Sequence, residues 1–191
     1  MAYFIIQGGR KLKGAVRVHG AKNGALKLLA ASLLFKDKVT IENTPRIEDT
    51  FRAEELLKKL GCEVREKKGR VTVYPKNIIT ASLDSEIAKR FRASIVFVGP
   101  LLARKGVASF PHPGGCVIGK RPIDLFLEGW RAMGTNIRET KNGYALSATN
   151  LRGCDFTFRN ISVTGTETLM MTAILAKGKT TLRNAACEPE I

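Results

Sequence analysis

Three near-wholly apolar segments recur along this chain, and each is followed by the same kind of sequence. They are Ala25–Phe35 (ALKLLAASLLF), Ala93–Ala103 (ASIVFVGPLLA) and Thr166–Ala176 (TETLMMTAILA). After each comes a basic or glycine-containing turn and a short β-type run: KVTIENTP from Lys38, GVASFPHP from Gly106 and KTTLRNAA from Lys179. Val39 and Val107 are 68 residues apart, and Val107 and Thr180 are 73 apart. Self-similarity at a fixed period means that one supersecondary unit has been repeated and that its copies must bury one another.

Two of the copies continue with a second helix. Ala53, Leu56, Leu57 and Leu60 fall at i, i+3, i+4 and i+7, and so do Ile123, Phe126, Leu127 and Trp130. Both patterns predict one-faced amphipathic helices. Gly61 and Gly134 stand where each would be capped. A hairpin-like pair follows each, CEVREKKGRVTVYP and TNIRETKNGYALSAT, the latter with an Asn142-Gly143 turn signal. The unit therefore reads strand–helix–strand–helix–strand–strand, with copies at about 14–77, 78–150 and 151–191. The third opens with the strand-like CDFTFRNIS at Cys154 and reaches Glu188-Pro189-Glu190-Ile191 where its second helix is due, so it is expected to be incomplete.

Helices that are apolar all round belong in an interior. The expected fold class is α/β (α+β): a single inside-out α/β barrel domain of βαβαββ repeats, with the three apolar helices at its centre. Pro100 predicts a kink or early end in the second of them. Uncovered apolar surface on the third copy predicts self-association or poor stability.

With 44% hydrophobic and 26% charged residues, a disordered or low-complexity chain is excluded. The formal net charge of +15 points to anionic partners. No apolar run approaches the ~20 residues that span a bilayer, so no membrane is expected, and the N-terminal MAYFIIQGGRKLKG lacks the form of a secretory signal. Cys62, Cys116, Cys154 and Cys187 form no C-x-x-C pair, and His19 and His112 are the only histidines. Neither a metal site nor a disulfide framework is expected, and reduced thiols fit a cytoplasmic location. Cys62, Cys154 and Cys187 adjoin apolar or strand-like residues and read as small buried hydrophobes.

Candidate chemistry falls at the starts of the apolar helices. Gly20-Ala21-Lys22-Asn23-Gly24 precedes the first; a lysine at a helix N-terminus suits phosphate or carboxylate, although a solvated Lys22 beside an Asn23 cap is the plainer reading. Arg92 takes the equivalent place before the second, and Ser162-Val163-Thr164-Gly165 before the third. If the repeat is real in space, these ends converge on one side, and with Lys22, Arg92 and Arg121 they form a receptor for a multiply charged anion such as a sugar nucleotide. Between the strand GVASF and the helix near Pro122 lies Pro113-Gly114-Gly115-Cys116-Val117-Ile118-Gly119-Lys120-Arg121. Cys116 has two cations within five residues, which favours a polarised thiol. The stretch Gly114–Lys120 nearly matches a phosphate-binding P-loop, but Arg121 stands where magnesium needs a hydroxyl.

Taken together, Gly20-Ala-Lys-Asn23, Arg92-Ala-Ser94, Pro113-Gly-Gly-Cys-Val-Ile-Gly119, Arg121-Pro-Ile-Asp-Leu125, Ser162-Val163, Thr164-Gly-Thr-Glu167 and Asn184-Ala-Ala with Glu188-Pro-Glu190 resemble the UDP-N-acetylglucosamine 1-carboxyvinyltransferases of the enolpyruvyl transferase family. The related 5-enolpyruvylshikimate-3-phosphate synthases lack the cysteine loop. The resemblance implies two inside-out domains with a cleft between them. It also implies transfer of the enolpyruvyl group of phosphoenolpyruvate to the 3-hydroxyl of UDP-N-acetylglucosamine, with loss of phosphate from a tetrahedral ketal, in peptidoglycan synthesis. By the same resemblance Cys116 donates a proton, forms an adduct with phosphoenolpyruvate and is the residue alkylated by fosfomycin. Lys22, Asn23 and Arg121 hold phosphoenolpyruvate. Arg92, with Arg121, Pro122, Ile123, Asp124 and Leu125, and Asn160, Ile161, Ser162 and Val163, meet UDP-N-acetylglucosamine. No cofactor is implied.

Phe126 stands where many members have histidine, Asn160 where many have lysine (Arg159 is adjacent), and Glu167-Thr168 replaces Glu-Asn. The family's second domain, with a catalytic aspartate and a further phosphate-binding arginine, has no counterpart, so the chain is expected to be an N-terminal part with little turnover alone. The alternatives are a non-catalytic half that binds UDP-N-acetylglucosamine or regulates the full enzyme, and a basic nucleic-acid-binding protein. Against the latter, aromatics are 7%, no nucleic-acid motif is present and the positive residues are scattered.

Overall fold

The computed structural model describes residues 3–112 and 122–191. The first unit holds α1 (Lys22–Ala31) running into a 3-10 turn (Ser32–Leu34), then β1 (Val39–Ile41), α2 (Glu48–Lys59), β2 (Glu63–Lys67) and β3 (Arg70–Tyr74). The second holds α3 (Ser85–Arg90), a 3-10 segment (Arg92–Phe97), α4 (Val98–Lys105), β4 (Val107–Pro111), α5 (Asp124–Ala132), β5 (Asn136–Thr140) and β6 (Gly143–Ser147). The third holds β7 (Asp155–Thr157), α6 (Val163–Ala173) and β8 (Thr181–Arg183).

The first two units repeat one sheet topology. β3 lies between β1 and β2, and β6 between β4 and β5, all antiparallel. Register follows alternation: Val71 and Val73 of β3 face inward opposite Ile41 and Val39, and Leu146 faces inward opposite Ala108 and Ile137. Outer strand β2 is almost wholly charged and exposed, which blunts its edge. In the third unit β7 and β8 pair in parallel, Phe156 opposite Leu182. The result is a mixed α/β fold of separate small sheets, and no sheet closes on itself among the described residues.

One continuous core joins the units. Leu26, Leu29 and Leu33 of the first apolar segment, Val96, Phe97, Leu101 and Leu102 of the second and Leu169 of the third lie in it, with Leu56, Leu57 and Trp130 from the amphipathic helices. Each such side chain contributes about 1.5–3 kcal/mol on burial. α6 packs on α4 and on the 3-10 segment, which also meets α1. Trp130 Nε1 donates to Thr172 Oγ1 at 3.1 Å, tying α5 to α6. Arg104 on α4 donates to the Leu33 and Phe35 carbonyls at the end of the first helix, where backbone acceptors would otherwise lack partners.

The structure refines several expectations. The apolar helices are not buried all round: Leu28, Met170 and Ile174 are exposed. Pro100 neither kinks nor ends its helix. It occupies the first turn of α4, where a missing N–H costs little, and the residues before it wind as 3-10. The opening strand of each unit is weaker than the repeat implies. Among the described residues the segment before α1 forms no strand, and in the second unit the strand shrinks to a bridge, with Leu83 N donating to the Ser109 carbonyl and Ser109 N to the Ala81 carbonyl. Helix α3 follows that bridge and escaped the sequence reading. Its signal is Asp84, whose carboxylate accepts from the Glu86 and Ile87 amides. Gly61 and Gly134 terminate α2 and α5 with positive φ, as expected. The second hairpin turns on Lys141 and Asn142, because Gly143 already pairs with Thr140 as the first residue of β6.

Candidate functional site

Four helical starts face one cleft of about 350 Å³. α1 contributes Lys22, Asn23, Leu26 and Lys27, and the 3-10 segment contributes Arg92, Ala93 and Ile95. Pro122, Ile123 and Phe126 come from the start of α5, and Ser162, Val163 and Thr164 from the start of α6; Asp49 of α2 completes the rim. The convergence of the three apolar-segment starts, expected from repeat symmetry, is thus present in the geometry. Helix starts carry unsatisfied N–H groups and the positive end of the helix dipole, so the cleft suits an anion.

Each start is built differently. Ala21 caps α1 with no side-chain hydrogen bond. Asn23 is therefore a helical residue rather than the cap, and Lys22 is the first helical residue. Its ammonium reaches Asp49 Oδ2 at 2.5 Å, so it is anchored rather than simply solvated. Ser162 caps α6, its hydroxyl accepting from Gly165 N at 3.1 Å. Deeper in the same helix, Glu167 is buried and meets Lys27 Nζ at 3.0 Å across the gap to α1. Burial pushes the Glu167 carboxyl above its ordinary range, an effect that the Lys27 ammonium opposes without cancelling, while Glu188 and Glu190 add to it. Pro122 lies two residues ahead of α5, outside its first turn, with Ile123 at the cap position.

Of the residues singled out in the sequence, Lys22, Asn23, Arg92, Pro122, Ile123, Ser162 and Val163 line this cleft together. Asp124 and Leu125 are the first two residues of α5 and are not among its lining. Asn160 and Ile161 sit exposed on the approach to α6, also off the lining. Cys116 and Arg121, with the P-loop-like stretch around them, lie outside the described residues. Phe126, noted as a departure from the resemblance, lines the cleft with an aromatic ring. Sequence reasoning missed Lys27 and Asp49. Asp49 was legible as an acidic helix start, but Lys27 was hidden inside a run read as apolar.

The other thiols separate by environment. Cys62 is buried and its thiol is pushed up to about 11 by desolvation. Cys154 is half-buried and raised for the same reason. Cys187 is exposed, which corrects its reading as a buried hydrophobe: beyond β8 it is the neighbouring Ala186 that turns inward, its amide donating to Thr166 Oγ1 at 3.0 Å, while Cys187 faces outward. Among the described residues no group of three or more His, Cys, Asp or Glu side chains is placed to hold a metal ion, and no helix is long and apolar enough to cross a membrane.

With this geometry in hand, comparison with known proteins identifies the class. The profile of the EPSP synthase (3-phosphoshikimate 1-carboxyvinyltransferase) family matches residues 6–191. The chain belongs to that family of enolpyruvyl transferases. It is 44% identical over its whole length to a UDP-N-acetylglucosamine 1-carboxyvinyltransferase of Acidobacterium capsulatum, of which it spans 45%. The enolpyruvyl transferase NikO of Streptomyces tendae superposes with a TM-score of 0.82 at 25% identity, over 96% of this chain and 43% of that one. EPSP synthase of Acinetobacter baumannii shares the fold, with a TM-score of 0.74 at 17% identity over 93% of this chain and 42% of its own. The chain thus spans less than half the length of the relatives it matches.

Proposed function

We propose that this chain forms one wall of an active site that transfers the enolpyruvyl group of phosphoenolpyruvate to the 3-hydroxyl of UDP-N-acetylglucosamine. The observation that carries the reading is the cleft where Lys22, Asn23, Arg92, Ser162 and Val163 meet at helix starts. Its support in sequence is the 44% identity to a transferase named for moving a carboxyvinyl group to UDP-N-acetylglucosamine. Such a transfer adds a proton to the methylene carbon of the enolpyruvyl group as the sugar hydroxyl attacks its neighbouring carbon. Phosphate then leaves the tetrahedral ketal as a proton is removed. Lys22 and Asn23 would hold phosphoenolpyruvate with Arg121. Arg92, residues 121–125 and residues 160–163 would receive the sugar nucleotide. Cys116 would supply the proton and be the target of fosfomycin. Cations and helix starts serve because negative charge gathers on the departing phosphate.

The same reading places residues 1–191 in a single repeat domain with an inside-out arrangement of helices. A second domain or a second copy would face the cleft. Peptidoglycan synthesis in the cytoplasm would be the setting. No cofactor is required.

The test is phosphate release from phosphoenolpyruvate by this chain with UDP-N-acetylglucosamine present, with Cys116→Ala as control. With one wall alone, the expected result is sugar-nucleotide binding with little release. Cys116-dependent release would make the chain an enzyme as it stands. Absence of both binding and release would overturn the reading.

A further inference from the structure

Lys27 lies among the apolar residues of α1, between the buried Leu26 and Leu29. Asn23, Leu26 and Lys27 share one face of α1 at i, i+3 and i+4, and all three line the cleft. Glu167 approaches from α6 one turn below Val163, and its side chain is 4% exposed against 14% for Lys27. The Lys27 ammonium is 3.0 Å from Glu167 Oε2, and the carboxylate accepts no hydrogen bond from a neutral group among the described residues. A buried ion pair is a costly way to join two helices, because apolar side chains of similar volume usually do as well or better. Lys27, however, lines the anion-suited cleft, with Glu167 behind it and off the lining. An ammonium has three donors, and Glu167 occupies one side of it.

We propose that Lys27, held by Glu167, is a third anion-binding cation of the cleft beside Lys22 and Arg92, and that it takes phosphoryl oxygens. The proposal rests on the reading of the cleft as a phosphoenolpyruvate and sugar-nucleotide site and deepens it by adding a binding residue. Glu167 balances the charge of Lys27 and holds its ammonium at the cleft lining. A ligand phosphate competes with that carboxylate for the same donors. Because Glu167 is a competitor as well as a support, the proposal separates from a purely structural role: removing the carboxylate should free Lys27, whereas removing both charges should abolish its contribution.

The experiment is calorimetric titration of the 191-residue chain with inorganic pyrophosphate at low ionic strength, followed by UDP-N-acetylglucosamine and phosphoenolpyruvate separately. Glu167→Gln is expected to tighten pyrophosphate binding about threefold, and the Lys27→Met/Glu167→Gln pair to weaken it about tenfold, the size of one charge-assisted contact. The double variant leaves no orphaned buried charge, so its folding does not confound the result. Circular dichroism melting checks that. Equal affinity in the double variant and the wild type, equal loss in both variants, or no pyrophosphate binding by the wild type would each overturn the proposal. Pyrophosphate binding that depends on Lys27 while UDP-N-acetylglucosamine fails to bind supports Lys27 and overturns the sugar-nucleotide reading instead. Of the two substrates, the one whose affinity follows pyrophosphate across the variants is the one that contacts Lys27.

Discussion

Three cysteines of the same intrinsic chemistry illustrate how burial decides reactivity. Cys62 packs in the core with its thiol raised to about 11, because desolvation penalises the thiolate. Cys187 is exposed beyond β8. Iodoacetamide at pH 8, applied to the Cys116→Ala protein, should therefore label Cys187 first, Cys154 more slowly and Cys62 only on unfolding, as read by peptide mass mapping. The sign of the linked stability effect is fixed too. A group whose pKa is raised in the folded state favours folding below its unfolded value and loses that contribution as pH climbs toward the folded one, so Cys62 weakens the fold only in strongly alkaline solution. Rapid labelling of native Cys62 would mean that the core around it opens readily. At this scale the sequence was partly legible. Cys62 opens a strand-like run after the buried Leu60, but the exposure of Cys187 depends on its tertiary surroundings, which local sequence does not carry. Lys27 was missed for a similar reason: one charge in an apolar run looks like tolerance until Glu167 is seen 140 residues away in sequence.

The amphipathic helices and hairpins were the elements most legible in sequence, because their periodicity is local. The opening strands were not, since a strand needs a partner and pairing is non-local. The β4–β6 pair shows how one residue governs an element. Gly143 has φ +150°, and a Cβ there would stand 2.1 Å from the Phe110 carbonyl oxygen and 2.6 Å from Pro111 Cα. Both are backbone atoms of β4 and cannot move aside without opening the ladder. Gly143→Ala should destabilise the protein by about 2 kcal/mol or more in urea unfolding, through combined strain and clash. The same end of the sheet carries His112, whose ring stands edge-on to Tyr144 and within hydrogen-bond reach of the Thr140 carbonyl. Tyr144 in turn stacks on Phe110. Nuclear magnetic resonance of the His112 ring should therefore shift in the variant. An unchanged midpoint and an unchanged ring signal would mean that β4 and β6 tolerate separation there.

Across the whole molecule, the helical starts converge on the cleft while apolar surface gathers elsewhere. Tyr3, Phe4, Ile5, Ile6, Leu12, Val16 and Val18 are each at least 80% exposed, and residues 3–20 join no sheet among the described residues. Ile161, Ile174 and Leu175 are exposed around α6. An extended apolar stretch with unpaired backbone is a template for intermolecular pairing. It contributes nothing to the core, so it should be removable without loss of stability. Deleting residues 1–13 should leave the melting temperature within about 2 °C of the parent, since a change of 1 kcal/mol in a chain of this size moves it by only a few degrees. It should also raise the monomer fraction in light scattering. The cut ends short of Gly20, where the chain closes on Asn43, so the approach to α1 stays intact. A large fall in melting temperature would show that the segment is packed in solution. Unchanged association would move the sticky surface to the exposed end of α6, where Ile174→Gln becomes the variant that relieves it.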